Sequence, residues 1–124
     1  MLITLKIKTL DLTKFRIINQ ANEIGECIWM QVLKWTHFQK ETIGKQIVRL
    51  ADSISANLSE SFGRYSFAER KRFIYYARGS LCETINWLEK AISRELIDPE
   101  AAKEIKNKLA ALSIQINACL KNSK

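Results

Sequence analysis

Four stretches of this chain carry apolar residues at alternating spacings of three and four, and that repeat constrains the fold more than any other feature of its 124 residues. Such a stripe lies on one face of an α-helix, which turns once every 3.6 residues. The first stretch, over about residues 12–35, carries Ile17/Ile18, Ala21, Ile24/Gly25, Ile28, Val32 and Trp35. The second, over 40–62, carries Ile43, Ile47, Leu50, Ile54 and Leu58. The third, over 67–96, carries Phe73, Ala77, Ser80/Leu81, Thr84, Leu88 and Ala91, and the fourth, over 99–121, carries Ile105, Leu109, Leu112, Ile116 and Cys119/Leu120. Rods of ~22–30 residues are about 33–45 Å long. One Pro and four Gly are too few for a turn-rich sandwich. Short connections make sequence neighbours antiparallel. The expectation is a single all-α domain over residues 1–124, an antiparallel up-down-up-down four-helix bundle. A repeat close to 3.5 predicts shallow, left-handed crossings.

The ends of the stretches carry stop and start signals. Asp11 or Thr13 can cap the first helix. Thr36–Glu41 is polar, carries no stripe and reads as a turn. Gly63 sits where a helix end favours a left-handed residue. Ser66-Phe67-Ala68-Glu69 is a capping box, and Asp98-Pro99-Glu100 combines a capping Asp, Pro at the first helical position and an acid at the positive end of the dipole. Gly79-Ser80 inside the third helix is costly for a helix and reads as a place of close helix approach. In Met1–Leu10, Ile3, Leu5 and Ile7 alternate with polar residues, which reads either as a short extended arm, available to pack on a neighbouring subunit, or as a disordered start. Lys6 and Lys8 interrupt its apolar run, so it makes a poor secretory signal.

The formal net charge is +7, from 20 basic and 13 acidic residues, and it favours polyanionic partners. Cys27, Cys82 and Cys119 are odd in number and far apart, which fits small buried hydrophobes in a reducing cytoplasm rather than a disulfide framework. No apolar run is long enough for a membrane span. The single histidine, His37, lies in a polar turn and cannot build a metal site with three distant cysteines. Gly44-Lys45 lacks the upstream Gly and downstream Ser/Thr of a phosphate loop, and neither a nucleophile elbow nor a Glu-x-x-His motif occurs. No cofactor, no metal and no enzymatic activity are expected.

Polar residues on or beside the inward faces are the informative anomaly. Gln46, Arg49, Ser53, Asn57 and Glu60 recur at helical spacing on the second helix, with Tyr76, Ser80, Glu83 and Trp87 on the third. Buried charge needs a partner, and Arg49 or Arg64 with Glu60 or Glu83 can supply one. This stripe reads as a register-fixing network, a subunit interface or a ligand site.

The same residues carry a resemblance. Gln46-x-x-Arg49-x-x-x-Ser53-Ile54-x-Ala56-Asn57-Leu58-x-Glu60-x-Phe62-Gly63-Arg64, then Phe73, then Ala77-Arg78-Gly79-Ser80-Leu81-x-Glu83, resembles the bacterial four-helix-bundle family encoded within intervening sequences of 23S ribosomal RNA genes. The match is concentrated in residues 46–88. The resemblance implies a homopentamer with a central channel. It also implies kinship with the accessory protein of diversity-generating retroelements, a basic pentamer thought to bind nucleic acid and reverse transcriptase. No enzymatic activity is attached to the family. The chain departs from the family pattern at Ser61, where Gly is usual, and lacks the usual Pro near Phe38. Ser61 suggests that the second helix continues until Gly63.

Two functions follow as expectations. In the first, a homo-oligomer binds RNA or DNA. Arg64, Arg70, Lys71, Arg72 and Arg78 would contact phosphate, and Tyr65 and Tyr75, with Trp87 near them, would stack on unpaired bases. In the second, the oligomer is a scaffold for a protein partner such as a polymerase, through Trp29, Leu33 and Ile85 outside the main stripes. The first helix is apolar over more than one stripe, which predicts a second neighbour for it.

Overall fold

A computed structural model describes residues 12–122. The extended arm expected at residues 1–10 lies outside the described residues. Four long helices, α1 (Leu12–Val32), α2 (Lys45–Gly63), α3 (Phe67–Ser93) and α4 (Pro99–Asn122), form a bundle, with no strand among the described residues. Each helix packs on its two sequence or ring neighbours, so α1 closes on α4.

Named contacts fix the directions. Between α2 and α3, Ser61 meets Arg70 and Ser53 meets Ser80. Between α3 and α4, Arg78 meets Asn117 and Glu89 meets Lys106. Rising numbers on one helix pair with falling numbers on the next, which is the antiparallel arrangement. The α1–α2 pair runs the same way, with Lys14 over the Phe62 ring and Val32 against Gly44.

The core is one continuous cluster of buried apolar side chains drawn from all four helices. On α1 it takes Ile17, Ala21, Ile24, Ile28 and Val32, and on α4 it takes Ala102, Ile105, Leu109, Leu112, Ile116 and Leu120, as the stripes require. On α2 Ala51 takes the buried place and Leu50 is half-buried, because the four-residue step from Ile47 continues to 51. On α3 the buried set is Ile74, Ala77, Leu81, Thr84, Leu88 and Ala91. Phe73, one residue out of phase and so about 100° away around the helix, is only half-buried.

The α1–α2 connection differs from the expected turn. Thr36 caps a helical turn, His37–Gln39: its Oγ1 accepts from the Gln39 amide at 3.2 Å, and its own amide donates to Gln39 Oε1 at 3.0 Å. Thr36-His37-Phe38-Gln39 is therefore a second capping box. A π-helical turn, Lys40–Gly44, follows and leads into α2. It sets Gly44 against α1, where an added Cβ would lie 2.9 Å from Val32 Cγ1 and 3.1 Å from the Gln39 carbonyl oxygen. Trp35, past the end of α1, still buries against this turn.

Two glycine expectations are corrected. Gly63 is not left-handed; it ends α2 in helical conformation, and the chain leaves through extended Arg64. The left-handed residue is Glu95, φ 56°, after α3, where the Leu96 amide donates to the Ala91 carbonyl at 2.9 Å in a Schellman-type closure. Gly79 marks no close approach: a Cβ there would meet nothing within 4 Å. The close approaches fall at Gly44 and at Gly25, where a Cβ would lie 2.7 Å from Asp52 Oδ1.

Candidate nucleic-acid interface

Folding gathers charge that is spread evenly along the sequence. The half of the bundle around the α2–α3 turn contains residues 12–22, 54–80 and 111–122. It holds Lys14, Arg16, Arg64, Arg70, Lys71, Arg72, Arg78 and Lys121 against only Glu60 and Glu69. Its net charge is +6, and the other half of the described residues nets −1. The cause is topological: α1 begins, α2 ends, α3 begins and α4 ends here, and the basic residues of each lie near those ends.

The expected site residues divide by what holds them. Arg64 is tied in place: Nη2 lies 2.7 Å from Glu60 Oε1, Nη1 is 4.0 Å from Glu69, and the guanidinium sits 4.8 Å from the Phe73 ring centre. Arg70 closes the α2–α3 turn, Nη1 donating to the carbonyls of Tyr65 at 2.7 Å and Arg64 at 3.2 Å. These two therefore shape the turn. Lys71, Arg72 and Arg78 form the outward charge. Lys71 lies 6.0 Å from the Phe67 ring centre, Arg72 lies 5.4 Å from that of Phe73 and 3.8 Å from Glu69, and Arg78 lies 5.0 Å from that of Tyr75. Arg78 also donates to Asn117 Oδ1 at 3.2 Å.

The aromatics stand with them. Tyr65, at the tip of the turn, is 99% exposed, and Tyr75 is 45% exposed. Phe67, Ala68, Lys71, Arg72, Tyr75 and Tyr76 line one shallow groove along the first half of α3. Phe73, removed from the core by its phase, is clasped between Arg64 and Arg72 and meets Tyr76 edge-on at 5.4 Å. Trp87 is not part of this end. It lies about 18 Å further along α3, half-buried under Lys90.

The polar stripe resolves into separate pieces. Ser53 Oγ meets Ser80 Oγ at 2.7 Å across α2 and α3, and Asn57 Nδ2 donates to the Ser53 carbonyl at 2.9 Å. Among the described residues Arg49 bonds only along its own helix, to Gln46 Oε1 at 2.8 Å. Glu60 serves Arg64, while Glu83 is exposed and enters no ion pair among the described residues. Ser61, read from sequence as a departure that lets the helix continue, is fully buried, and its Oγ donates to the Arg70 carbonyl at 2.7 Å. It carries α2 on to Gly63 and ties it to α3.

No group of three or more His, Cys, Asp or Glu among the described residues is placed to hold a metal ion. No described helix is long and apolar enough to cross a membrane. All three cysteines are free, but none is buried as expected: Cys27 and Cys119 are half-buried and Cys82 is exposed, because their positions fall beside the buried stripes. Burial raises the Cys27 thiol above its ordinary value, with Lys108 opposing. Burial, helped by Glu26, raises the Asp52 carboxyl.

These features define an all-α antiparallel four-helix bundle with a basic, aromatic-bearing end. Residues 13–118 match the family model of 23S rRNA-intervening sequence proteins, and the chain belongs to that family. The relationship read from residues 46–88 thus extends through α1 and α4. Among solved structures, the chain is similar to a protein of unknown function from the S23 ribosomal protein family of Bacteroides thetaiotaomicron. The TM-score is 0.82 with 26% identity, over 89% of this chain and 99% of the other. No curated protein matches.

Proposed function

We propose that this chain is a non-enzymatic, homopentameric bundle protein of the bacterial cytoplasm that binds RNA or DNA through its basic end. The observation that carries the reading is the segregation of charge, +6 in one half against −1 in the other. Lys71, Arg72 and Arg78 contact phosphates, while Tyr65 and Tyr75 offer faces on which unpaired bases stack. Arg64 and Arg70 hold the turn that presents them. Assembly is supported by the outer surface of α1, where Leu12, Phe15, Trp29, Met30 and Leu33 are exposed. A ring of such ends binds one long polyanion by avidity. The three free cysteines support a reducing compartment. The test is a mobility shift with RNA and DNA at ~50 mM salt. A shift that is lost in Lys71→Ala/Arg72→Ala is expected, and no shift with either nucleic acid overturns the reading.

A second reading is a scaffold for a protein partner, such as an accessory subunit of a reverse transcriptase. The observation favouring it is the exposure of Trp29, Met30, Leu33 and Phe38 at the end of the bundle opposite the α2–α3 turn. Co-purification of a partner that survives nuclease treatment would favour it over the first.

A further inference from the structure

Two apolar surfaces flank the last turns of α1 and carry opposite charge. On the α2 side, Trp29, Leu33 and Val48 line a groove with Lys40, Lys45 and Arg49 at its rim, against the single acid Glu41. Lys40 and Lys45 enter no ion pair among the described residues, and Arg49 bonds only to the neutral Gln46. On the α4 side, Cys27, Met30, Ala101 and Ile105 form an apolar face edged by Glu26 and Glu104, with no cation in its lining. Met30 stands out of it, 55% exposed. Glu26 is unpaired among the described residues. Among the described residues Glu104 reaches only Lys108, at 4.0 Å, and that ammonium is already held at 2.6 Å by Glu23.

We propose that these surfaces are the two sides of one head-to-tail contact. The Met30 face of one copy seats in the Trp29–Val48 groove of the next, with Glu26 and Glu104 meeting Lys40, Lys45 and Arg49. The inference rests on the assembly reading above and names the contact that builds it. Every copy carries both sides in equal number, as a self-assembly requires. Both lie on the same turns of α1, so successive copies are related by rotation with almost no rise, and a heterologous contact of that kind closes into a ring rather than growing into a filament. The apolar floor argues for a protein surface over nucleic acid: phosphates need only the rim cations, whereas Trp29, Leu33 and Val48 gain from being covered by the exposed Met30 and the half-buried Ala101 beside it.

The test is light scattering on size-exclusion peaks at micromolar protein, with circular dichroism to confirm helicity. Lys45→Glu/Arg49→Glu, and separately Glu26→Lys/Glu104→Lys, place like charges across the contact. Each is expected to weaken self-association roughly 100-fold and to run as a helical monomer. The quadruple variant restores opposite charge between positions 26/104 and 45/49, with Lys40 alone left facing like charge, and is expected to return to the wild-type mass. A wild type that assembles while both pair variants keep its mass overturns this contact and leaves the assembly reading standing. So does a helical quadruple variant that stays monomeric. A pair variant that keeps its mass but loses RNA binding reassigns the groove to nucleic acid. A monomeric wild type overturns both readings.

Discussion

Gly44→Ala is the sharpest perturbation of the packing. The new methyl would stand 2.9 Å from Val32 Cγ1, 3.1 Å from the Gln39 carbonyl oxygen and 3.5 Å from Trp35 Cε3. The backbone oxygen cannot swing aside, and Val32 and Trp35 are both core side chains at 8% exposure. Relief requires moving the π-helical turn off α1. Overpacking of this kind costs about 1–3 kcal/mol. Replacing a helical Gly by Ala returns about 1 kcal/mol of propensity. The net is a loss of about 1 kcal/mol, or about 4 °C in melting temperature for a chain of this size. The assay is thermal unfolding by far-UV circular dichroism with both proteins at one concentration, because self-association, where it occurs, makes melting depend on concentration. A variant that melts at or above the wild type would refute the claim that the π turn is there to seat a glycine against α1.

Other substitutions test other joints. Gly79→Ala meets open space and should raise the melting temperature by about 4 °C from helix propensity alone; a drop would show that something covers it. Glu95→Gly relieves the left-handed position at φ 56° and should stabilise by about 1 kcal/mol in chemical denaturation; an unchanged midpoint would mean that the strain is absent. Asp52 titrates higher in the folded chain, first from burial and then from Glu26, so the folded state holds its proton more tightly. Its contribution to stability is therefore full at acidic pH and lost as pH rises from the usual carboxylate range through the raised value. Asp52→Asn should be more stable than wild type at neutral pH, with the gap closing in acid. A gap that widens in acid would reverse the sign.

The helices and most of the core were legible because each stripe keeps one phase from end to end. Ile17 to Val32 and Ile105 to Leu120 needed nothing beyond spacing. Where two adjacent residues could continue a stripe, as at Leu50/Ala51 and Phe73/Ile74, spacing alone did not choose between them. The segment around Thr36 was misread because a π turn has no apolar period, although its capping residues, Thr36 and Gln39, stand in the sequence. Gly79 was misread because a mid-helix glycine signals either contact or open surface, and only the folded packing separates the two. The basic cluster after Arg64 was visible. Its enlargement by Lys14, Arg16 and Lys121 was not, because those residues reach it only through the antiparallel order of the helices. The division of labour within the cluster was hidden as well, since Arg64 and Arg70 are identical in kind to Arg72 and differ only in what stands beside them.

The basic end is tested most directly by the salt dependence of nucleic-acid affinity, measured by fluorescence anisotropy with single-stranded RNA on wild type and Lys71→Ala/Arg72→Ala. Binding that weakens linearly in log–log form is expected, with the slope falling by about 1.4 in the double variant if both cations release counterions from a single strand. Binding insensitive to salt, or a slope that the two substitutions leave unchanged, would contradict the assignment of this end to phosphate.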